Sequence, residues 1–256
     1  MAELLRVERV TISYPTEGGT FIAVQDVSFA VAPGEKFILL GPSGCGKSTL
    51  LKSVAGFLKP SAGSIELEGQ PIVRPGPDRV VIFQEFDQLL PWKTVLRNVM
   101  YPLRVARRMG DAGAREEARR FVAMVGLERF ADAYPHQLSG GMKQRVAIAR
   151  SLALNPRMLL MDEPFASLDA MTRRKMQEEV LAIWEATRKT ILFVTHSIQE
   201  AVLLGDRILV LSSGPGRVKR IVENPAAGRR DGELTLKVQQ EVQSFLEFTE
   251  AGERVE

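Results

Sequence analysis

The sequence predicts an α/β fold: a mostly parallel sheet with helices on both faces, an N-terminal antiparallel β layer and an inserted α-helical subdomain. Three observations predict it. Short apolar runs recur at 37–40, 80–83, 158–161, 191–194 and 208–211. Continuous apolar runs of that length suit strands buried on both faces. Helix-like stretches lie between most of them, and four of the runs end at groups suited to phosphate, metal or proton chemistry. Ligands of open parallel sheets bind beyond the carboxyl ends of the strands.

The elements follow in chain order. Residues 5–31 alternate with β character around Gly18-Gly19, which reads as a small antiparallel layer. Strand signals thin out after residue 87. Ala118, Phe121, Val122 and Val125 stand at i, i+3, i+4 and i+7, with Arg and Glu between them. Beyond Gly216 come Pro225, Gly228 and Gly232, then an amphipathic piece over 234–248. The expected organisation is a domain over 1–225, with its core at 1–86 and 156–225 and a helical subdomain at about 87–155. A short, partly helical tail occupies 226–256.

Composition narrows the function. Of 256 residues, 45% are hydrophobic and 25% charged, which excludes a disordered chain. Lys and Arg number 34 against 31 acids, a net +3 and too weak a field to argue for nucleic acid. Cys45 stands alone, so no internal disulfide forms and a reducing compartment is expected. No apolar run approaches the ~18 residues of a membrane span. Glu3, Arg6, Glu8 and Arg9 fall where a signal peptide would be apolar, so the chain is expected to have no means of its own to enter a bilayer.

The first strand end carries Gly41-Pro42-Ser43-Gly44-Cys45-Gly46-Lys47-Ser48-Thr49, which fits G-x-x-x-x-G-K-[ST], with a helix expected over 49–57. Glycines let the backbone curl so that successive N–H groups point at phosphate oxygens. The following helix presents its positive end to the same anion. Lys47 supplies a point charge for the β/γ-phosphates, and the Ser48 hydroxyl suits Mg²⁺. Cys45 reads as a small loop residue rather than a nucleophile, although a helix start lowers thiol pKa.

The other strand ends complete the chemistry. Asp162 and Glu163 are adjacent, and adjacent side chains at a strand end point in different directions. Asp162 is assigned to the Mg²⁺ shell and Glu163 to the base that orients the attacking water. Gln84 can reach both the metal and that water through its amide oxygen. His196 can donate to the γ-phosphate. Ser197-Ile198-Gln199-Glu200 behind it fits a capping box.

Leu138-Ser139-Gly140-Gly141-Met142-Lys143-Gln144-Arg145 then opens a second glycine-rich helix, expected from Met142. This is again an anion-binding geometry. Together with the phosphate loop, Gln84, Asp162-Glu163, Ser167-Leu168-Asp169 and His196, in this order, it resembles the nucleotide-binding subunit of an ATP-binding cassette (ABC) transporter. The resemblance covers about residues 5–225 and implies a P-loop NTPase fold, ATP as substrate and Mg²⁺ as cofactor. It further implies that two copies pair head to tail. The signature of one, Leu138, Ser139, Gly140, Gly141 and Met142, then faces the γ-phosphate on the other's phosphate loop. Asp169 is similar to the residue that communicates across that dimer, and Tyr14 to the aromatic that stacks on adenine. Met142 stands where many members have Gln, which leaves the serine and glycine contacts intact.

Gln88-Leu89-Leu90-Pro91-Trp92-Lys93-Thr94-Val95 and Ser213-Gly214-Pro215-Gly216-Arg217-Val218 resemble the bacterial importer branch for nitrate, sulfonate and taurine. Trp92 suits either a groove receiving a partner's helix or buried packing. Arg104, Arg107, Arg108, Arg115, Arg119 and Arg120 read as a solvated helix face, or as contacts to lipid headgroups or a permease loop. The resemblance implies an ATPase at the cytoplasmic side of the plasma membrane that powers import of a small anionic or organosulfur solute. Its partners would be transmembrane permease subunits and, indirectly, an extracytoplasmic solute-binding protein, with no nucleic acid. The alternative is a non-transport ABC ATPase acting on nucleic acid or ribosomes. Against it, residues 50–137 between the two glycine motifs lack the sustained heptads of the DNA-repair relatives, and the chain holds one cassette where ribosome-acting relatives carry two.

Overall fold

The computed structural model describes residues 3–84, 88–166, 168–230 and 232–247. In chain order, β1 (Leu5–Thr16), β2 (Gly19–Val31) and β3 (Lys36–Leu40) precede α1 (Lys47–Val54). Next come β4 (Ala62–Leu67), β5 (Gln70–Pro71) and β6 (Arg79–Ile82). Three helices follow, α2 (Val95–Val105), α3 (Asp111–Met124) and α4 (Gly140–Ala153). Then β7 (Met158–Asp162), α5 (Ala170–Thr187), β8 (Thr190–Thr195) and α6 (Ile198–Leu204) alternate. The described chain ends with β9 (Arg207–Leu211), β10 (Val218–Glu223) and α7 (Glu233–Glu247).

The chain divides into two compact units, one formed by Met1–Gly76 with Thr190–Glu256, the other by Pro77–Lys189. In the first, β2, β1, β4 and β5 make an antiparallel sheet in that order. The same unit holds β10, β9, β3 and β8 side by side. β3 pairs parallel with both β8 and β9, and β10 adds an antiparallel edge. Every residue of β3 and β8 is buried, as continuous apolar strands in parallel pairing require. In the second unit β6 and β7 pair in parallel, Ile82 opposite Met161. The other regular elements among the described residues of that unit are helices. α3 buries Ala114, Ala118 and Val122 along one stripe, which is the 3.6-residue spacing of the sequence.

Helix limits differ from expectation where glycine and caps act. α1 starts at Lys47 and stops at Val54, short of Phe57. Gly56 has φ +82, and a Cβ there would lie 2.5 Å from the Arg74 backbone, so the chain turns out of the helix at that point. α4 begins at Gly140, two residues early, because Ser139 caps it. α7 covers most of the expected amphipathic tail, and Phe248 lies outside the described residues.

Candidate functional site

In the first unit the phosphate loop leaves β3 and enters α1. Gly44 has φ +80 with open space where a Cβ would be. Gly46 has φ +93 and is the N-cap of α1, with no side-chain cap. A Cβ on Gly46 would lie 2.6 Å from both the Ala23 carbonyl and Val24 Cγ2. The backbone of β2 therefore presses directly on the loop, and only glycine fits. The first intrahelical bond of α1 runs from the Leu50 N–H to the Gly46 carbonyl, 2.8 Å. The preceding N–H groups, Lys47 to Thr49, form the positive end of the helix.

Lys47 is 4% exposed. Its ammonium donates to the Gly41 and Pro42 carbonyls, both at 2.8 Å, and lies 4.0 Å from Cys45 Sγ. The loop's own carbonyls thus hold the charge at its centre. Cys45 is 1% exposed, and its sulfur fills the space beside Gly41. Packing is its role here, as for most buried thiols. Ser43 and Gly44 are exposed at the tip, while Pro42, Ser48 and Thr49 are half-buried.

Two further expected residues share this unit. In the parallel register Leu40 faces Thr195, so His196 emerges level with Gly41 and is exposed there. Its neighbours differ from a simple capping box. The Ser197 hydroxyl accepts from the Glu200 N–H at 3.3 Å, but the Ser197 N–H donates to Thr195 Oγ1 at 3.0 Å. The Thr195 hydroxyl in turn donates to the Glu200 carboxylate at 2.7 Å. Tyr14 is half-buried on β1 opposite Phe21 of β2.

Sequence reading missed one support of the loop. The Gly216 N–H donates to the Ala23 carbonyl at 3.0 Å, and the Gln25 N–H donates to the Gly216 carbonyl at 2.9 Å. A Cβ on Gly216 would strike the Cys45 carbonyl. The Ser213–Val218 motif therefore latches β2 beside the phosphate loop. Gly214-Pro215-Gly216 was the available signal.

The second unit brings together the remaining candidates. Asp162 closes β7 and is half-buried, as is Glu163. Glu163 has φ +44, a left-handed backbone unusual for glutamate. The chain therefore turns sharply at Glu163, directly after the extended residue Asp162 that ends β7. Because Ile82 faces Met161, Gln84 leaves β6 close to the level of Glu163 and is exposed.

Ser139 is the exposed N-cap of α4, and its hydroxyl accepts from the Met142 N–H at 3.4 Å. Leu138 is buried and Met142 half-buried. Gly140 is half-buried, and a Cβ on Gly141 would lie 3.0 Å from Thr172 Cγ2 of α5. Asp169 caps α5, accepting from the Met171 and Thr172 N–H groups at 3.1 and 3.0 Å. Hydrogen bonding from Thr172 holds its carboxyl below the ordinary aspartate range. Ser167 lies outside the described residues.

Buried amides tie this unit together, and periodicity gave no sign of them. Gln88 exchanges hydrogen bonds with the Phe83 backbone and donates to Gln144 Oε1 of α4 at 3.3 Å. Gln144 is wholly buried. The segment after Gln84 is thereby linked to the helix that Ser139 opens. Asn98, also wholly buried, donates to the Leu90, Lys93 and Thr94 carbonyls and accepts from the Leu90 N–H. It pins the turn that leaves Trp92 69% exposed, which removes the buried-packing alternative. The arginine-rich region is a solvated face in part. Arg104 pairs with Asp111, and Arg120 with Glu116 and Glu117.

The family described as ABC transporter matches residues 24–166. The nitrate import ATP-binding protein NrtD of Synechococcus elongatus is 43% identical over 235 residues, covering 91% of this chain and 85% of that protein. The taurine import ATP-binding protein TauB of Rhizobium johnstonii is 49% identical over 219 residues, covering 84% and 82%. Among solved structures, the dimeric ATP-binding cassette MJ0796, in a post-hydrolysis state with ADP and Pi, superposes with a TM-score of 0.74. It is 33% identical, over 89% of this chain and 99% of that one. With both glycine-rich helix starts and the Asp162-Glu163 strand end in place, the chain belongs to the ABC transporter family, as an ATP-binding and ATP-hydrolysing subunit of the nitrate and taurine import branch.

Proposed function

We propose that two copies of this chain close head to tail around two ATP molecules and hydrolyse them to drive an importer of small anions. The phosphate loop, Gly41 to Thr49, would bind the triphosphate through its N–H groups, with Lys47 on the β/γ-phosphates. Tyr14 would stack on the adenine. Ser48, Gln84 and Asp162 offer a hydroxyl, an amide oxygen and a carboxylate, the all-oxygen donor set that suits Mg²⁺. When bound there, the cation would neutralise charge on the β/γ-phosphates. Glu163 would take the proton of the attacking water, Gln84 would help orient that water, and His196 would donate to the γ-phosphate. Leu138, Ser139, Gly140, Gly141 and Met142 of the partner subunit would close the pocket, with Asp169 carrying the state of one site to the other.

The observation that carries this reading is the conformation of Gly46. A glycine N-cap at φ +93, clamped by β2, leaves the positive end of α1 to an external anion. The wider assignment follows from the family. Residues 87–155 would serve as the helical subdomain of the 1–225 cassette, 226–256 as its tail. The exposed Trp92 turn would receive a cytoplasmic segment of a permease. Among the described residues no helix is long and apolar enough to cross a membrane, which fits a peripheral subunit at the cytoplasmic face. The nitrate and taurine relatives point to a small anionic or organosulfur solute, delivered to the permease by an external binding protein.

Glu163→Gln tests the core of the reading. The variant keeps MgATP binding, accumulates as a dimer on size exclusion and loses at least about 100-fold in phosphate release. A variant that stays monomeric with ATP, or turns over near the normal rate, removes Glu163 from the role of base.

A further inference from the structure

Phe83 stands one residue beyond the last paired residue of β6, because the register with β7 ends at Ile82 opposite Met161. A side chain takes over there. The Gln88 amide oxygen accepts from the Phe83 N–H at 3.3 Å, and its nitrogen donates to the Phe83 carbonyl at 3.1 Å. One amide thus grips both polar groups of one residue, as a neighbouring antiparallel strand would. The Phe83 carbonyl and the Gln84 nitrogen belong to a single planar peptide group. Holding that carbonyl fixes the plane from which Gln84 departs.

The same Gln88 nitrogen donates to Gln144 Oε1 of α4 at 3.3 Å. Gln144 is wholly buried, yet its own amide nitrogen has no hydrogen-bond partner among the described residues. Asn98, equally buried in the same unit, uses its oxygen once and its nitrogen for three carbonyls. That is the full set of bonds expected of an amide kept for structure. A buried donor left unmade costs stability, and an apolar residue of the same shape would remove that cost. Gln144 is therefore poorly suited to holding α4 in place and well suited to receiving Gln88. Its helix gives the contact a firm base, with the Ser139 cap within about two turns.

We propose that Gln88 is a positioning residue for Gln84, with Gln144 as its anchor on α4. The inference rests on the reading of Gln84 as the amide that meets the metal and the attacking water. Gln88 acts only through the peptide from which Gln84 reaches out. Its loss therefore slows turnover, while nucleotide affinity stays with the phosphate loop.

Steady-state phosphate release by the full chain tests this, read beside thermal unfolding. Methionine keeps the length of glutamine and drops the amide. Gln88→Met lowers kcat about tenfold and leaves KM for MgATP within about twofold. Gln144→Met lowers kcat in the same sense, and the double variant is no slower than Gln88→Met alone, since the two share one contact. The double variant also melts within about 3 °C of the parent, because the bond and the spare donor leave together. Gln84→Ala lowers kcat at least as far as Gln88→Met, and adding Gln88→Met to it changes nothing more. Parent kcat in Gln88→Met, with a loss in Gln84→Ala, overturns the role of Gln88 and leaves that of Gln84. Losses that multiply when Gln84→Ala and Gln88→Met are combined also overturn it, as does a raised KM at parent kcat. A double variant that melts more than about 3 °C lower makes the amide pair a structural tie and overturns the proposal as well. Parent kcat in Gln144→Met removes the anchor. Parent kcat in Gln84→Ala removes the reading of Gln84, and the proposal falls with it.

Discussion

The starts of α1 and α4 are both glycine-rich, yet the chain builds them oppositely. At α1 the cap is Gly46, left-handed and without a side-chain acceptor, and the β2 backbone fills the space a Cβ would need. At α4 the cap is Ser139 in an extended conformation, and its own hydroxyl satisfies one N–H of the first turn. The first start has no capping side chain of its own. The second carries its own capping hydroxyl and leaves Ser139 exposed. In the proposed function a phosphate would be held at the first, and a lighter contact to the other copy would form at the second.

The comparison breaks most severely at Gly46 and Lys47. Gly46→Ala forces a left-handed alanine and pushes a methyl group into Ala23 and Val24. Strain and overpacking together cost about 3 kcal/mol or more. At a few degrees per kcal/mol for a chain of this size, thermal unfolding drops by roughly 6–12 °C. Lys47→Ala keeps the fold and, on the proposed function, weakens ATP by at least about 100-fold, because no other side chain would replace the buried ammonium beside the phosphates. Unchanged ATP affinity on titration calorimetry would refute the reading of the loop.

Gly141→Ala measures the same kind of substitution at the other start. Its Cβ would come 3.0 Å from a methyl group of Thr172, a side chain able to yield by a few tenths of an ångström. The helical backbone of α4 accepts alanine without strain. Loss of stability stays near 1 kcal/mol, about a third of the Gly46 effect. Equal melting shifts for Gly46→Ala and Gly141→Ala would show that backbone clamping by β2 does not distinguish the two starts.

The sequence made much of this legible, for identifiable reasons. Strand-end chemistry was readable because apolar runs such as those of β3 and β8 are buried along their whole length, so the change of composition at Gly41 and at Thr195-His196 marks where each strand ends. The antiparallel layer followed from alternation around Gly18-Gly19. What stayed hidden depends on long-range packing. Nothing local announces that Glu163 sits at φ +44, that Gln88 reaches Gln144, or that Gly216 holds β2 against the Cys45 carbonyl. Helix limits shifted where a cap or a close backbone decided them, at Ser139 and Gly56. The position of Trp92 needed Asn98, whose four hydrogen bonds inside a turn have no periodic signature.

The finest test separates the cap at Ser139 from its contact in trans. Ser139→Ala removes the acceptor for the Met142 N–H and costs about 1 kcal/mol, so any functional loss would mix with fraying of α4. Ser139→Gly avoids this, since glycine at an N-cap costs only a few tenths of a kcal/mol. The glycine variant melts within about 1 °C of the parent and binds MgATP on its own phosphate loop with unchanged affinity. What it loses is the hydroxyl that the proposed function assigns to the other copy. In the Glu163→Gln background, where the proposed function expects the ATP-bound dimer to accumulate, Ser139→Gly then shifts the size-exclusion profile back towards monomer. A dimer as stable as before would mean that the serine of the second glycine-rich start serves its own helix alone.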